Sequence, residues 1–177
     1  MINLSDDKII IQKLKSTDIN VALVSWLNSK EVMKFSRQRF LTHSLSTSLE
    51  YFESFIDTEN LYLKISDKVT KKMLGTMTVY FDENKNAADI GILIGEKNVW
   101  GMGYGTRCWE LLIKYLFREK KVDAVTGGCD IGNIGMISVF KKIGMKEFKS
   151  EKLVDQFSEY QVVRYRIFRN NEACATV

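Results

Sequence analysis

A chain of 177 residues, 45% hydrophobic and 27% charged, fits one globular domain and leaves little room for a second core. Its net charge of +4 comes from scattered lysines and arginines, not a basic block, which argues against nucleic acid as the main partner. No apolar run approaches the roughly 18 residues of a membrane span, so no membrane role is expected.

In chain order, residues 8–14 (KIIIQKL) predict a first strand. Thr17 or Asp18 suits the N-cap of a helix carrying Val21, Leu23, Val24, Trp26 and Leu27. Residues 35–44 mix charge with aromatics and predict a loop. Ser46 or Thr47 then opens a second helix with Leu49, Tyr51, Phe52, Phe55 and Ile56 on its apolar side. Residues 61–65 and 73–80 predict two strands, and a charged turn at 82–85 leads to a third over 90–94. A strong helix follows at 104–118, where Trp109, Leu112, Ile113, Leu116 and Phe117 recur at helical spacing. A short strand at 122–125, a helix at 133–143 stopped by Gly144, and strands at 145–149 and 161–168 complete the pattern. Residues 1–169 read as a single domain and 170–177 as a frayed tail. The order βααβββαβαββ places helices before and within a mostly antiparallel sheet, a mixed α/β sandwich.

The densest signal is the strand 88–95 (ADIGILIG) followed by Trp100-Gly101-Met102-Gly103-Tyr104-Gly105-Thr106 and a helix. Glycines in such a turn let a ligand approach the backbone, and the open N–H groups and dipole of the helix N-terminus suit phosphate. The spacing is one residue short of the dinucleotide G-x-G-x-x-G, and there is no G-K-[ST] for a P-loop. The turn resembles the acetyl-CoA motif [Q/R]-x-x-G-x-[G/A] of the GNAT superfamily of N-acetyltransferases, with Gly103 and Gly105 matching and Trp100 in place of Gln or Arg. Asn133, Met136, Phe140, Lys142, Gly144 and Met145 resemble the same family's N-x-x-[A/S/M]-x-x-x-[Y/F]-x-K-x-G-[F/M] helix. The finer likeness is to the bacterial branch holding ribosomal-protein and amino-sugar acetyltransferases.

This resemblance implies a mostly antiparallel sheet of about seven strands with four helices, splayed between the fourth and fifth strands. It also implies acetyl-CoA as acetyl donor. The backbones of Ile92, Leu93 and Ile94 would hold pantetheine. Trp100, Gly101, Met102, Gly103, Tyr104, Gly105 and Thr106 would cradle the pyrophosphate, and Asn133, Phe140 and Lys142 would flank the cofactor. The family's acid is often a tyrosine where this chain has Phe140, and one branch has a base glutamate where it has Gly128. Asp89 is then the base candidate by resemblance, or a strand-end carboxylate that is solvated or paired with a lysine.

His43 is a second base candidate. Arg37 and Arg39 could bind a phosphate on the acceptor, meet an acidic protein surface, or lie in a solvated loop. The cysteines Cys108, Cys129 and Cys174 form no C-x-x-C pair and read as reduced thiols. With an acidic start unlike a secretory leader, they point to the cytoplasm. A single histidine leaves a histidine metal centre without ligands, so no metal is expected. The expectation is direct transfer to a primary amine, on a nucleotide-linked amino sugar, a small amine or a protein N-terminus, with a homodimer possible. The competing reading is a non-catalytic acyl-CoA sensor or scaffold.

Overall fold

Ile9 and Ile11 are buried while Gln12 is exposed, the period-two signature of a half-covered strand. This strand, β2 (Ile9–Lys13), pairs with a three-residue edge strand, β1 (Asn3–Ser5), too short and polar to show a period of its own. The computed structural model describes residues 2–169. It continues with β3 (Leu61–Asp67), β4 (Met73–Phe81), β5 (Ala87–Ile94), β6 (Ala124–Asp130), β7 (Lys146–Val154) and β8 (Glu159–Phe168). One eight-stranded sheet results, ordered β1-β2-β3-β4-β5-β6-β8-β7, so β1 is the strand beyond the expected seven. Every neighbouring pair is antiparallel except β5–β6. The expected tail at 170–177 lies outside the described residues.

Four helices cover the sheet: α1 (Val21–Leu27), α2 (Leu45–Glu53), α3 (Tyr104–Tyr115) and α4 (Ile134–Lys142). Asn20 caps α1, its side chain accepting from the Leu23 N–H at 3.1 Å. Thr17 and Asp18 fall in a preceding 3₁₀ turn, where Asp18 pairs with Lys64 at 2.6 Å. Ser44, not Ser46 or Thr47, caps α2 through a reciprocal capping box with Thr47. The long helix expected to Arg118 ends at Tyr115 and passes into a π turn over Leu116–Lys120. No helix among the described residues is long and apolar enough to cross a membrane.

The strand period sorts the core onto two faces. Leu63 and Ile65 join the larger cluster with Trp109, Leu112, Leu116 and Phe140 of α3, α4 and the π turn. Tyr62, pointing the other way, joins Leu14, Ile19, Leu23 and Phe55 beneath α1 and α2. The sheet is not continuous. β5 and β6 pair only at Ala87↔Ala124, Ala88↔Val125 and Asp89↔Thr126, while β5 stays paired with β4 as far as Ile94. Beyond Asp89 the strands part, giving the expected splay at β5 and β6 in this numbering. Gly127 sits where they part, and a Cβ there would lie 2.4 Å from the Trp109 ring, so the indole fills the space a side chain would take. The splay leaves one edge of β5 open, and the candidate site is built around it.

Candidate active site

The far end of β5 leads through a 3₁₀ turn, Lys97–Val99, into the glycine-dense turn that delivers α3. Gly101 and Gly103 have φ of +74° and +82°, left-handed values glycine adopts without strain. Gly103 is the N-cap and offers no side chain to close the helix. The N–H groups of Tyr104, Gly105 and Thr106 therefore stay open at the positive end of a twelve-residue helix. A Cβ on Gly101 or Gly103 would meet nothing within 4 Å, and one on Gly105 only Val139 at 3.8 Å. Glycines required by packing would face filled space. These face clear space in front of donors, which suits an anion pressed against backbone.

Trp100 ties this turn to the strand, its indole N–H donating to the Ile94 carbonyl at 2.9 Å. That bond engages one acceptor at the strand end and leaves the Ile92 backbone open nearer the splay, whereas the Leu93 carbonyl faces β4 at Gly75. Asn133 caps α4 by accepting from the Met136 N–H at 3.1 Å, a bond that uses only its carbonyl oxygen. Its amide NH₂ remains a donor for a ligand, so the capping and binding roles are compatible. Lys142 is exposed in the last turn of α4.

A cavity of about 570 Å³ lies between β3–β5 and the α1–α2 side. Tyr62, Thr76, Thr78, Gly91 and Leu93 line it from the sheet, and His43 and Tyr51 from the other side. A Cβ on Gly91 would stand 2.7 Å from Thr78 Oγ1, so the cavity reaches the β5 backbone at this residue. Burial pushes the Tyr62 hydroxyl up to about 12. Burial also raises Tyr51, as does the Tyr80 hydroxyl, which it meets at 2.6 Å. Both phenols are therefore protonated donors at neutral pH. His43 Nε2 lies 3.1 Å from the Gln38 carbonyl, an acceptor only, so in the neutral ring Nε2 carries the proton and Nδ1 the lone pair. Asn28 fixes the backbone of His43 from both sides, donating to its carbonyl at 2.9 Å and accepting from its N–H at 3.0 Å.

A helix N-terminus with cleared amides thus stands next to an open strand edge in a splayed sheet. Residues 8–146 match the family described as an acetyltransferase (GNAT) domain, well over half of the chain. The chain belongs to the GNAT acetyltransferase family. The fold agrees: a GNAT-family acetyltransferase from Bacillus anthracis superposes with a TM-score of 0.83 at 16% identity, covering 96% of this chain and 99% of that one. A spermidine N-acetyltransferase from Vibrio cholerae, solved with CoA and spermine, superposes with a TM-score of 0.80 at 15% identity, covering 93% and 98%. An uncharacterised protein of Methanocaldococcus jannaschii is 26% identical over 149 residues, 81% of this chain. The chain spans 29% of the length of that relative.

Several residues expected from the GNAT resemblance have other surroundings. Phe140 is fully buried, edge-on to Trp109 and stacked on Tyr165 at centroid distances of 5.1 and 4.9 Å. No part of its ring is left for a ligand to touch, so it belongs to the core and not to the cofactor set. Asp89 sits at the root of the splay, accepting from Thr126 Oγ1 at 2.6 Å and paired with the Arg164 guanidinium. The expected lysine partner is an arginine from β8, and Asp89 does not line the cavity.

Arg37 is likewise taken. Its guanidinium makes a two-pronged pair with Asp155, donates to Ser158 Oγ at 3.1 Å, and lies over the rings of Phe40 and Tyr160 at 4.5 and 4.2 Å. Arg39 donates to the Lys34 carbonyl and covers the other side of the loop at Phe40. Neither arginine lines the cavity, so the expected acceptor-phosphate site does not form there.

Burial raises the Cys108 thiol, and burial with the nearby Asp130 carboxylate pushes Cys129 up to about 12. Neither thiol supplies a thiolate at neutral pH, so neither is set up as the nucleophile of a covalent acyl-enzyme. Among the described residues, no three His, Cys, Asp or Glu side chains converge as metal ligands. Tyr62, Thr76 and Thr78 belong to no motif, and their one trace in sequence is the pair of threonines at alternate positions in an otherwise apolar strand, Met73–Phe81.

Proposed function

We propose that this chain transfers the acetyl group of acetyl-CoA to a primary amine bound in the cavity, by direct attack on the thioester. The observation that supports this most is that two half-sites share one strand. The amide cradle of α3 opens beyond one end of β5, and the cavity reaches the same strand's backbone at residues 91–93. On this reading the N–H groups of residues 103–106 and the Thr106 hydroxyl bind the pyrophosphate, the Met102 N–H being spent on the Val99 carbonyl. The Ile92 backbone on the open edge holds the pantetheine arm as an added strand, and the Asn133 amide donates to it. Lys142 reaches the outer phosphates.

The reaction also needs an acceptor for the amine proton and a donor for the departing thiolate. His43 Nδ1 is the cavity's free imidazole lone pair and takes the first role. The protonated Tyr62 or Tyr51 hydroxyl takes the second, which Phe140 cannot fill. Asp89, held by Thr126 and Arg164, keeps the root of the splay in register and is a positioning residue.

The reading is tested by following free CoA release with a panel of primary amines. Sustained turnover on any of them rejects the non-catalytic sensor. Acetyl-CoA binding without turnover on any amine favours the sensor, a reading the vacancies at Phe140 and Gly128 would suit. His43→Gln is expected to lower kcat by about a hundredfold with acetyl-CoA affinity unchanged. An unaltered kcat would remove His43 from the reaction.

A further inference from the structure

We infer that the acceptor is a monoamine of monosaccharide size whose body carries hydroxyls and no second charge. This rests on the acetyltransferase reading above and concerns the same cavity. None of the sixteen described residues that line it is Asp, Glu, Lys or Arg. Eight of the sixteen carry hydroxyls: two serines, four threonines and two tyrosines. Gln38 adds an amide with both donor and acceptor.

The charge-free lining decides against two acceptor classes. A polyamine must bring a second ammonium out of water, and in this cavity it would find no carboxylate to pair with. The spermidine acetyltransferase with the same fold was solved with spermine bound, so the fold itself does not dictate this exclusion. A phosphorylated amine would need a guanidinium or ammonium at its phosphate. The two arginines nearest in sequence are engaged elsewhere, Arg37 by Asp155 and Arg39 by the Lys34 carbonyl. The reacting amine itself enters neutral, so it needs no counter-charge.

The hydroxyl-rich lining argues for a class. Hydroxyls can each donate and accept, which complements the hydroxyls of a sugar better than an alkyl chain. Leu27, Met33 and Leu93 give apolar surface for the C–H face of a ring. A volume of about 570 Å³ lies within the range of small-molecule sites and suits a ring of this size. Thr78 stands beside the reacting strand, its Oγ1 in the space of the missing side chain of Gly91, which places it to read a hydroxyl next to the amine.

The test measures kcat/KM at saturating acetyl-CoA for glucosamine, glucosamine 6-phosphate, spermidine and alanyl-alanine amide, with calorimetric titration of acetyl-CoA on the same preparation. Glucosamine is expected to exceed each of the other three by at least about tenfold. Thr78→Val should raise KM for glucosamine about tenfold while leaving cyclohexylamine unchanged, with Thr78→Ser restoring the difference. The inference is overturned if any of the other three equals or surpasses glucosamine, if glucosamine is not turned over, or if Thr78→Val moves both amines alike. Failure to bind acetyl-CoA would overturn the acetyltransferase reading itself. Binding acetyl-CoA while preferring spermidine would overturn the acceptor class alone.

Discussion

Gly105→Val is expected to remove acetyl-CoA binding, weakening it by about a hundredfold or more, while the thermal midpoint of the protein stays level or rises slightly. The position is helical with a clear face, and its added Cβ would meet only Val139 at ordinary contact distance, 3.8 Å. Valine is also a slightly better helix residue than glycine, by a few tenths of a kcal/mol. The cost therefore falls on the ligand, because the two γ-carbons would occupy the space in front of the α3 amides. Calorimetry and thermal unfolding on one sample separate the effects. A variant that binds acetyl-CoA normally would show that the cradle does not hold the pyrophosphate. Gly103→Val is the poorer test, since φ of +82° strains any side chain there and confounds stability with binding.

Arg37→Ala is expected to raise the acceptor KM about tenfold with acetyl-CoA affinity unchanged. The reason is architectural. Ser36, Gln38, Leu41, Thr42 and His43 all line the cavity, and they lie on the segment that Arg37 fastens to Asp155 and Ser158 at the β7–β8 turn. Stacking of Phe40 on Phe157 at 4.6 Å continues the same clasp. Arg37→Lys should fail to rescue it, because an ammonium cannot make the two-pronged contact or lie flat against Phe40 and Tyr160. The clasp is also expected to be insensitive to pH in any ordinary assay. The Arg37 guanidinium holds the Asp155 carboxyl at about 2, below the ordinary value of about 4. A lowered carboxyl contributes its stability above the ordinary value and loses it only as pH falls through about 2. Faster hydrogen exchange over residues 36–43 in Arg37→Ala, with no change elsewhere, would accompany the KM effect. An unchanged acceptor KM would show that the wall stands without the clasp.

The left-handed turn and the α4 cap of the proposed donor half were legible in the sequence because their requirements are local. A left-handed turn needs glycine at the position itself, and a helix cap needs Asn133 beside the turn it caps. The acceptor half was not legible, because its parts meet only through the sheet. Arg37 and Asp155 are 118 residues apart, and Asp89 and Arg164 are 75 apart. No spacing rule could tell that either arginine would be spent on a carboxylate and lost to a substrate. Phe140 marks a different limit: its position in the motif was visible, but whether the ring faced ligand or core depended on Trp109 and Tyr165. Pairing likewise overrode local preference in β6, which runs through Gly127 and Gly128 to Asp130 because β8 pairs with it that far.

The hydrogen bond from Trp100 to Ile94 gives the molecule a built-in optical reporter. Trp109 is sealed in the core and Trp26 is half-buried against Gly95. Trp100, by contrast, is 41% exposed and joins the glycine turn to the strand expected to hold the pantetheine arm, so a Trp26→Phe background isolates its signal. Its emission depends on how far water reaches the indole, so covering that turn should shift the fluorescence of the unlabelled protein. Occupancy of the donor site could then be followed in the cuvette while the acceptor is varied, without waiting for a product.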